Sequence, residues 1–510
     1  MKKIDAEALS HKAVDETLIL AFDDDELRGC TYAKDVGLGL YVGKVAVHEH
    51  WRGIARQLLA AAEDLGRREG NEFLELQARI DLIENHRTLT ALGLEKTGES
   101  SYPSYCKPTS ITMRKLIAVS RNCKEEQKMP ADLMSRFPAL SDLEVRARRR
   151  MPGFAWEFLD SGTGNDEATN RNRAAFERVT LTPRFMRGEF EPSIATELFG
   201  VRYDAPFGVA PVGMNALAWP GTDRILAASA ARNRIPYSMS TAANETPETL
   251  GALAEGMGWF QLYPPRSAKL RSDLLARARD SGFTTLLVTV DVPAISRRER
   301  QMRAGIGAGF GPTPQMLWQA ALRPHWALAT LRKGRPRLPM LERYLPAENT
   351  QRFLSLVGEE MNGTFDLDYF DALRREWPGA LVLKGVLHPE DARCAVEHGA
   401  DGILVSNHGG RQFDGAPASI DALPAIAEAL QGRASVLLDS GVRCGLDVAR
   451  ALALGADFVL LGRPFMYAVA ALGAQGADHA VRVLRDDLIN NMSNLGCSSL
   501  GELRERLSCA

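Results

Sequence analysis

Eight short apolar runs alternate with segments of helical pattern, and this alternation constrains the fold more than any other feature. The runs are Phe207–Gly213, Ile235–Ser240, Met257–Tyr263, Thr284–Asp291, Ala380–Val386, Gly402–His408, Ser435–Gly441 and Phe458–Pro464. All the connections suit a loop, a helix and a loop, except the fourth (292–379), which is far longer. Eight strand–helix units within roughly 250 to 400 residues predict a (β/α)8 barrel. A doubly wound open sheet is the rival. The count of eight and the polar residues at every strand end favour the barrel.

The C-terminal mouth of such a barrel carries its chemistry. The polar run Ser406-Asn407-His408-Gly409-Gly410-Arg411-Gln412 directly follows the apolar Gly402-Ile403-Leu404-Val405. Burying such residues is costly unless they face a site. His408 offers an imidazole, the side chain most often used as a general base. Arg411 offers a fixed planar cation for a carboxylate. The other strands end in Pro211-Val212-Gly213, Ser240, Gln261 with Tyr263, Thr289 with Asp291, Lys384, Asp439-Ser440-Gly441 with Arg443, and Gly462-Arg463. Loops after strands seven and eight commonly hold phosphate, so glycines and arginines there predict a phosphorylated cofactor.

In order and spacing, QLY, TVD, LKG, SNHGGRQ, DSGVR and GRP resemble the FMN-dependent 2-hydroxy-acid dehydrogenases and oxidases, which include glycolate oxidase, lactate oxidase and mandelate dehydrogenase. The likeness runs from about Asp142 to Arg506. It implies oxidation of an L-2-hydroxy acid to the 2-oxo acid. His408 is then the base, and Asp291 its orienting carboxylate. Arg298 and Arg411 hold the substrate carboxylate, and Tyr263 donates to the substrate. Lys384 lies near the pyrimidine edge of FMN. Ser240, Gln261, Thr289, Ser406 and Pro211–Gly213 meet the ring; Asp439 to Arg443 with Gly462 and Arg463 take ribityl and phosphate. Arg298 sits in a charged run with Arg297, and only the resemblance singles it out.

Some residues depart from the family pattern. Phe158 stands where the family has a substrate-contacting Tyr, so one hydroxyl donor is missing. This opens the alternative of a specialised metabolite or modified peptide as substrate. Asp439-Ser440-Gly441 replaces Asp-Gly-Gly, a minor change if only backbone is used. Ala242 replaces the bulky aromatic of glycolate oxidase and suggests room for a larger side chain. Gly213 and Arg323-Pro324-His325-Trp326 resemble mandelate dehydrogenase more closely.

The N-terminal part follows another logic. Lys44–Val47 reads as a strand, His50-Trp51-Arg52-Gly53-Ile54-Ala55-Arg56 as a turn, and 57–69 as a helix. Free N–H groups at such a turn suit a pyrophosphate. The pattern resembles the coenzyme A loop of GNAT acetyltransferases, with His50 in the Gln/Arg place, over about Leu18 to Ile117. The expected organisation is a truncated, α+β GNAT-like domain (1–119), a charged linker (120–130) and the FMN barrel (131–510). Too few residues precede the loop for a full acceptor site, and the usual Tyr acid has no counterpart. A degenerate module for a partner or oligomer is therefore preferred over an acyl-CoA-dependent acyltransferase.

Net charge is −2, which argues against a general nucleic-acid binder. The 7 scattered cysteines include no CxxC pair, favouring a reducing cytoplasm and offering no zinc site. Segment 301–350 holds 7 Lys/Arg against 2 Asp/Glu, plus Trp318 and Trp326. It reads as an active-site lid. The alternative is a weak membrane-surface or protein contact at the inner membrane face, since the matching region of mandelate dehydrogenase mediates membrane attachment. Homo-oligomerisation is expected from the resemblance. The arginines of 144–150 are expected to form a solvated face.

Overall fold

The computed structural model describes residues 17–23, 26–35, 39–47, 54–69, 73–79, 86, 89–90, 92, 94–100, 109–116, 131–306, 313–334, 336–345, 356–361, 363 and 365–508. The chain divides into two compact units, Met1–Pro130 and Ala131–Ala510. The linker 120–130 and the turn residues His50 to Gly53 lie outside the described residues.

The first unit contains a six-stranded sheet of order β1-β2-β3-β4-β6-β5. Its strands are β1 (Thr17–Asp23), β2 (Glu26–Asp35), β3 (Gly39–Val47), β4 (Phe73–Arg79), β5 (Glu95–Ser100) and β6 (Ser110–Leu116). Only β3 and β4 pair in parallel. A parallel pair needs a crossover, and the helix Ile54–Glu69 supplies it. Leu59 and Ala62 from that helix pack on Val42, Leu74 and Leu76 of the sheet.

In the second unit, β7 (Thr196–Leu198) and β8 (Val201–Tyr203) form a hairpin. The next eight strands close a parallel barrel. They are β9 (Phe207–Val209), β10 (Tyr237–Ser240), β11 (Gly258–Leu262), β12 (Thr285–Thr289), β13 (Ala380–Val386), β14 (Gly402–Val405), β15 (Ser435–Leu438) and β16 (Phe458–Leu461). All eight predicted runs thus form the barrel. Strands buried on both faces read as continuous apolar runs rather than alternating ones, which is why they stand out in the sequence.

Side chains on these strands alternate between two environments. Trp259, Leu287, Val382, Leu404, Leu437 and Leu460 cluster in the lumen, where Leu198 and Tyr203 of the hairpin join them. Phe260, Leu286, Leu383, Ile403, Leu438 and Val459 belong to the larger core shared with the surrounding helices. Tyr203 Oη accepts from Trp259 Nε1 at 3.1 Å, so the indole N–H is satisfied inside this apolar plug.

Apart from β13, the strands are shorter than the apolar runs. Pro211 lacks a ladder N–H, and His408 (φ 58°) and Ser440 (φ 74°) leave the β region. The run-ends therefore turn across the mouth instead of continuing the sheet. The long fourth connection holds helices Pro314–Ala321, Pro324–Lys333 and Pro339–Glu342. Pro314, Pro324 and Pro339 sit in the first helical turn, where the missing N–H has no intrahelical partner to lose.

The helix Leu140–Arg150 corrects in part the expectation of a solvated arginine face: Arg148 and Arg149 are exposed, but Arg146 and Arg150 are partly covered. Arg146 Nε donates to the Ala471 carbonyl at 2.9 Å, and Arg150 bonds the same oxygen. Arg150 also lies 4.6 Å over the Trp219 ring, and Arg148 5.7 Å over Trp156. Arg146 and Arg150 satisfy the Ala471 carbonyl near the C-terminus of the helix Arg463–Leu472, and Arg148 and Arg150 cover aromatic faces.

Candidate active site

The lumen becomes polar one side-chain layer above its apolar plug. Gln261, Thr289, Lys384, Ser406 and Asp439 each lie two residues beyond Trp259, Leu287, Val382, Leu404 and Leu437. A strand repeats its facing every two residues, so all five point into the barrel at its C-terminal mouth. They are almost wholly buried and hydrogen-bonded to one another. Ser240 Oγ donates to Gln261 Oε1 at 2.9 Å, and Gln261 Nε2 donates to Thr289 Oγ1 at 2.9 Å. Lys384 Nζ donates to Ser406 Oγ and Asp439 Oδ2, both at 2.7 Å. Burial pulls the Lys384 ammonium down, but Asp439 and Asp291 outweigh it and hold its pKa above the ordinary lysine value.

The His408 turn sits on this layer. His408 N donates to Ser406 Oγ at 3.1 Å, and Asn407 Oδ1 accepts from Gly410 N at 3.1 Å. His408 Nδ1 lies 3.0 Å from Asp291 Oδ1. An Nδ1–H donor there leaves Nε2 as the basic nitrogen, facing Tyr263 Oη at 3.5 Å. Burial pushes the Asp291 carboxyl up, but the imidazole beside it and then Lys384 pull harder, and its pKa falls below the usual carboxylate range. Gly385 (φ 105°) permits this approach: a Cβ there would stand 2.6 Å from Asp291 Cβ.

Four arginines line the same site. Arg411 donates to the carbonyls of Leu159 (3.0 Å) and Phe158 (2.8 Å). Arg463 donates to Leu159, Gly409 and Ser161 carbonyls at 3.1, 2.9 and 3.0 Å. Arg298 Nε donates to Ser296 Oγ at 3.0 Å. Burial, and then repulsion from Arg298 and Arg463, pushes the Arg411 guanidinium well below its ordinary pKa. Burial likewise lowers Arg298 and Arg443. Arg443 Nε is buried and has no partner among the described residues. Cations destabilised by burial and by one another favour anions arriving between them.

These groups surround a cavity of about 230 Å³. Most of the predicted site residues line it: Phe158, Pro211–Gly213, Gln261, Tyr263, Thr289, Arg298, Lys384, His408, Arg411, Asp439–Gly441, Arg443, Gly462 and Arg463. Ser240, Ser406 and Asp291 do not reach it; they stand behind Gln261, Lys384 and His408 and fix them.

Ser440 differs from its expected backbone-only part. Its hydroxyl donates to Asp439 Oδ1 at 2.7 Å and accepts from Gly409 N at 2.9 Å. It thus ties the His408 turn to the Lys384–Asp439 pair.

Two supports escaped the sequence reading. Asn172 and Asn407 exchange reciprocal amide hydrogen bonds of 2.7 Å, anchoring the base of the His408 turn. Arg300 pairs with Glu157, Asp160 and Asp166 at 2.6, 3.0 and 2.7 Å, joining the Arg298 loop to the helix Gly153–Asp160 that carries Phe158. Nothing distinguishes Asn172 from other helical polar residues. Arg300 could have been sought only from the acid spacing 157, 160, 166.

Comparison with known proteins agrees with this architecture. The family model "FMN-dependent dehydrogenase" matches residues 147–509, and "Acetyltransferase (GNAT) family" matches residues 2–93. The L-lactate dehydrogenase of Xanthomonas euvesicatoria pv. vesicatoria (strain 85-10) is 38% identical over 368 residues, 72% of this chain and 94% of the relative. That of Caulobacter sp. (strain K31) is 38% identical over 367 residues, 71% of this chain and 96% of the relative. The crystal structure of the monotopic membrane protein (S)-mandelate dehydrogenase superposes with TM-score 0.70 at 31% identity, over 72% of this chain and 98% of that one. Mandelate oxidase superposes with TM-score 0.63 at 34% identity, over 73% and 100%. The chain belongs to the FMN-dependent dehydrogenase family, its barrel preceded by a segment of the GNAT acetyltransferase family.

Proposed function

We propose that the barrel oxidises an L-2-hydroxy acid to the 2-oxo acid. The observation that carries this reading is one cavity lined both by His408, backed by the Asp291 carboxylate, and by Arg298, Arg411 and Arg463. The cavity suits FMN. Arg443 Nε is a buried donor without an acceptor among the described residues. The helix starting at Arg463 offers its N-terminal N–H groups to a phosphate. Gln261, Thr289 and Lys384 present an amide, a hydroxyl and an ammonium to a polar ring edge. FMN, when bound, supplies the two-electron acceptor for the reaction.

The protein's own part is position and charge. Arg298 and Arg411 fix the substrate carboxylate. Arg411 is already braced by two carbonyls, so it loses little freedom on binding. Tyr263 Oη, whose pKa is raised by burial, stays a neutral donor beside the substrate oxygen. His408 Nε2 accepts a proton from the substrate, and Asp291 stabilises the resulting imidazolium. Lys384 is held charged to balance negative charge gained at the ring edge. His408→Ala should retain FMN yet lose substrate-dependent flavin reduction.

A contact of the barrel unit with the membrane surface is a second reading. Trp318 and Leu331 are 67% and 82% exposed, Leu317 and Leu328 lie exposed on the same two short helices, and Leu322 is exposed between them. Arg323, Arg332 and Lys333 flank them. Among the described residues no helix is long and apolar enough to cross a membrane. Co-sedimentation with anionic vesicles, reduced by Trp318→Ala with Leu331→Glu, tests it; equal sedimentation of both proteins removes it.

A further inference from the structure

A second cavity, of about 440 Å³, adjoins the first and shares Ala242, Tyr263 and Arg298 with it. Val292, Ile306, Leu341, Val357 and Met361 supply most of its apolar wall, and all come from the loop after β12 and the long connection that follows. The polar groups on the wall are engaged within the protein. Thr241 Oγ1 donates to the Gln261 carbonyl, and Gln301 Nε2 donates to the Phe158 carbonyl and Ser161 Oγ. Gln412 Nε2 donates to the Ala294 carbonyl, Ser296 Oγ accepts from Arg298, and Arg297 pairs with Glu299. The buried polar groups open to a ligand stand at the shared end, at Tyr263 and Arg298. Beyond it the described lining is mostly apolar, and the solvent-exposed Arg297 is its one further charged side chain. Its volume falls in the range of ordinary ligand pockets.

We propose that this chamber receives the side chain of the substrate, which is an L-2-hydroxy acid with an extended unbranched apolar tail. The inference rests on the 2-hydroxy-acid reading above and adds the class of side chain. With the carboxylate at Arg298 and Arg411 and the hydroxyl at His408, the third substituent leaves past Ala242, the smallest side chain on the shared wall. A methyl group, as in lactate, does not fill the chamber, whereas a long alkyl tail replaces water along its length. Ile295 and Met302 stand 76% and 56% exposed at its rim, giving an apolar approach for such a molecule.

The test is a chain-length series on the holoenzyme. Anaerobic flavin reduction is measured with L-lactate, L-2-hydroxyhexanoate and L-2-hydroxyoctanoate, and binding of pyruvate and 2-oxooctanoate to the oxidised enzyme is measured by calorimetry. The second-order rate constant should rise about threefold per added methylene, reaching a gain of about two-hundredfold for the octanoate, which is five methylenes longer than lactate. The 2-oxo acids should bind in the same order. Val357→Trp, which fills the chamber away from His408, should cut the octanoate rate about tenfold or more and leave lactate within about twofold. A preference for lactate, equal binding of the two 2-oxo acids, or equal loss on both substrates in Val357→Trp overturns the proposal and leaves the hydroxy-acid reading intact. No reduction by any acid, with FMN bound, overturns both.

Discussion

Asp291→Asn isolates what the carboxylate does for His408. The amide Oδ1 can still accept from Nδ1–H at the observed 3.0 Å, so ring orientation survives while the charge is lost. Asp291 is buried in the layer behind the cavity. For an imidazolium and a carboxylate with charge centres about 4 Å apart, an effective dielectric near 20 gives roughly 4 kcal/mol. That attraction is felt fully only after His408 has taken its proton, so it acts on the transition state rather than on substrate binding. The reduction rate constant should fall about a thousandfold, with the substrate dissociation constant changed less than about threefold. Asp291 Oδ2 is buried and has no partner among the described residues. An amide NH2 there leaves a donor unsatisfied, so stability should drop by about 1–3 kcal/mol. Stopped-flow reduction and thermal unfolding of the FMN-bound variant read both quantities. A rate within about fivefold of the parent, in a variant that folds and binds FMN, would refute the reasoning.

Phe158→Tyr places a hydroxyl on the ring that lies 5.6 Å from the Arg411 guanidinium. A new hydrogen bond to the substrate carboxylate is worth about 1.5–3 kcal/mol, so kcat/KM for simple hydroxy acids should rise about tenfold or more; no gain would count against a limiting role for the missing donor. Ser440→Ala removes the link between Gly409 N and Asp439 while keeping the backbone strain at φ 74°. It should destabilise by about 1–3 kcal/mol, measured by urea unfolding, whereas unchanged stability would return Ser440 to a backbone-only role. Lys384→Met leaves Asp439 buried without its cation. The loss should be about 3–5 kcal/mol, with slower flavin reduction, and a stable, fast variant would contradict the assigned part. Glu248 is held at a pKa of about 2 by hydrogen bonds from Arg277, against the influence of partial burial. A depressed carboxyl stabilises the fold above its unfolded pKa and loses that effect as pH falls. The stability gap between the parent and Glu248→Gln should therefore shrink from pH 4.5 towards pH 2, and a constant gap in urea midpoints would show the pair inactive.

The barrel was legible because its strands are buried on both faces and each ends in a polar residue two places beyond an apolar one. Val382 followed by Lys384, and Leu437 by Asp439, carry the lumen layer and the site layer in a few letters. The turn geometry was less legible. His408 and Ser440 adopt positive φ without being glycine, and only their hydrogen bonds to Asp291, Asp439 and Gly409 explain why they hold it. The arginines misled where charge was equated with exposure. Arg150 and Arg146 cap carbonyls, and Arg463 is occupied by three backbone oxygens, because a guanidinium has enough donors to close loops as well as bind anions. Asn172 supports the His408 turn from 235 residues away in sequence. No local pattern encodes a contact that exists only after the helix Glu167–Glu177 has packed on that turn.

The central claim is that His408 removes a proton from a 2-hydroxy acid held by the arginine wall. The most direct measurement is the visible spectrum of the FMN-bound protein under anaerobic conditions, before and after mixing with L-2-hydroxy acids, for the parent and for His408→Ala. The account predicts that the parent bleaches, and that His408→Ala keeps the oxidised flavin spectrum over the same time. A His408→Ala protein that bleaches at the parent's rate would contradict it.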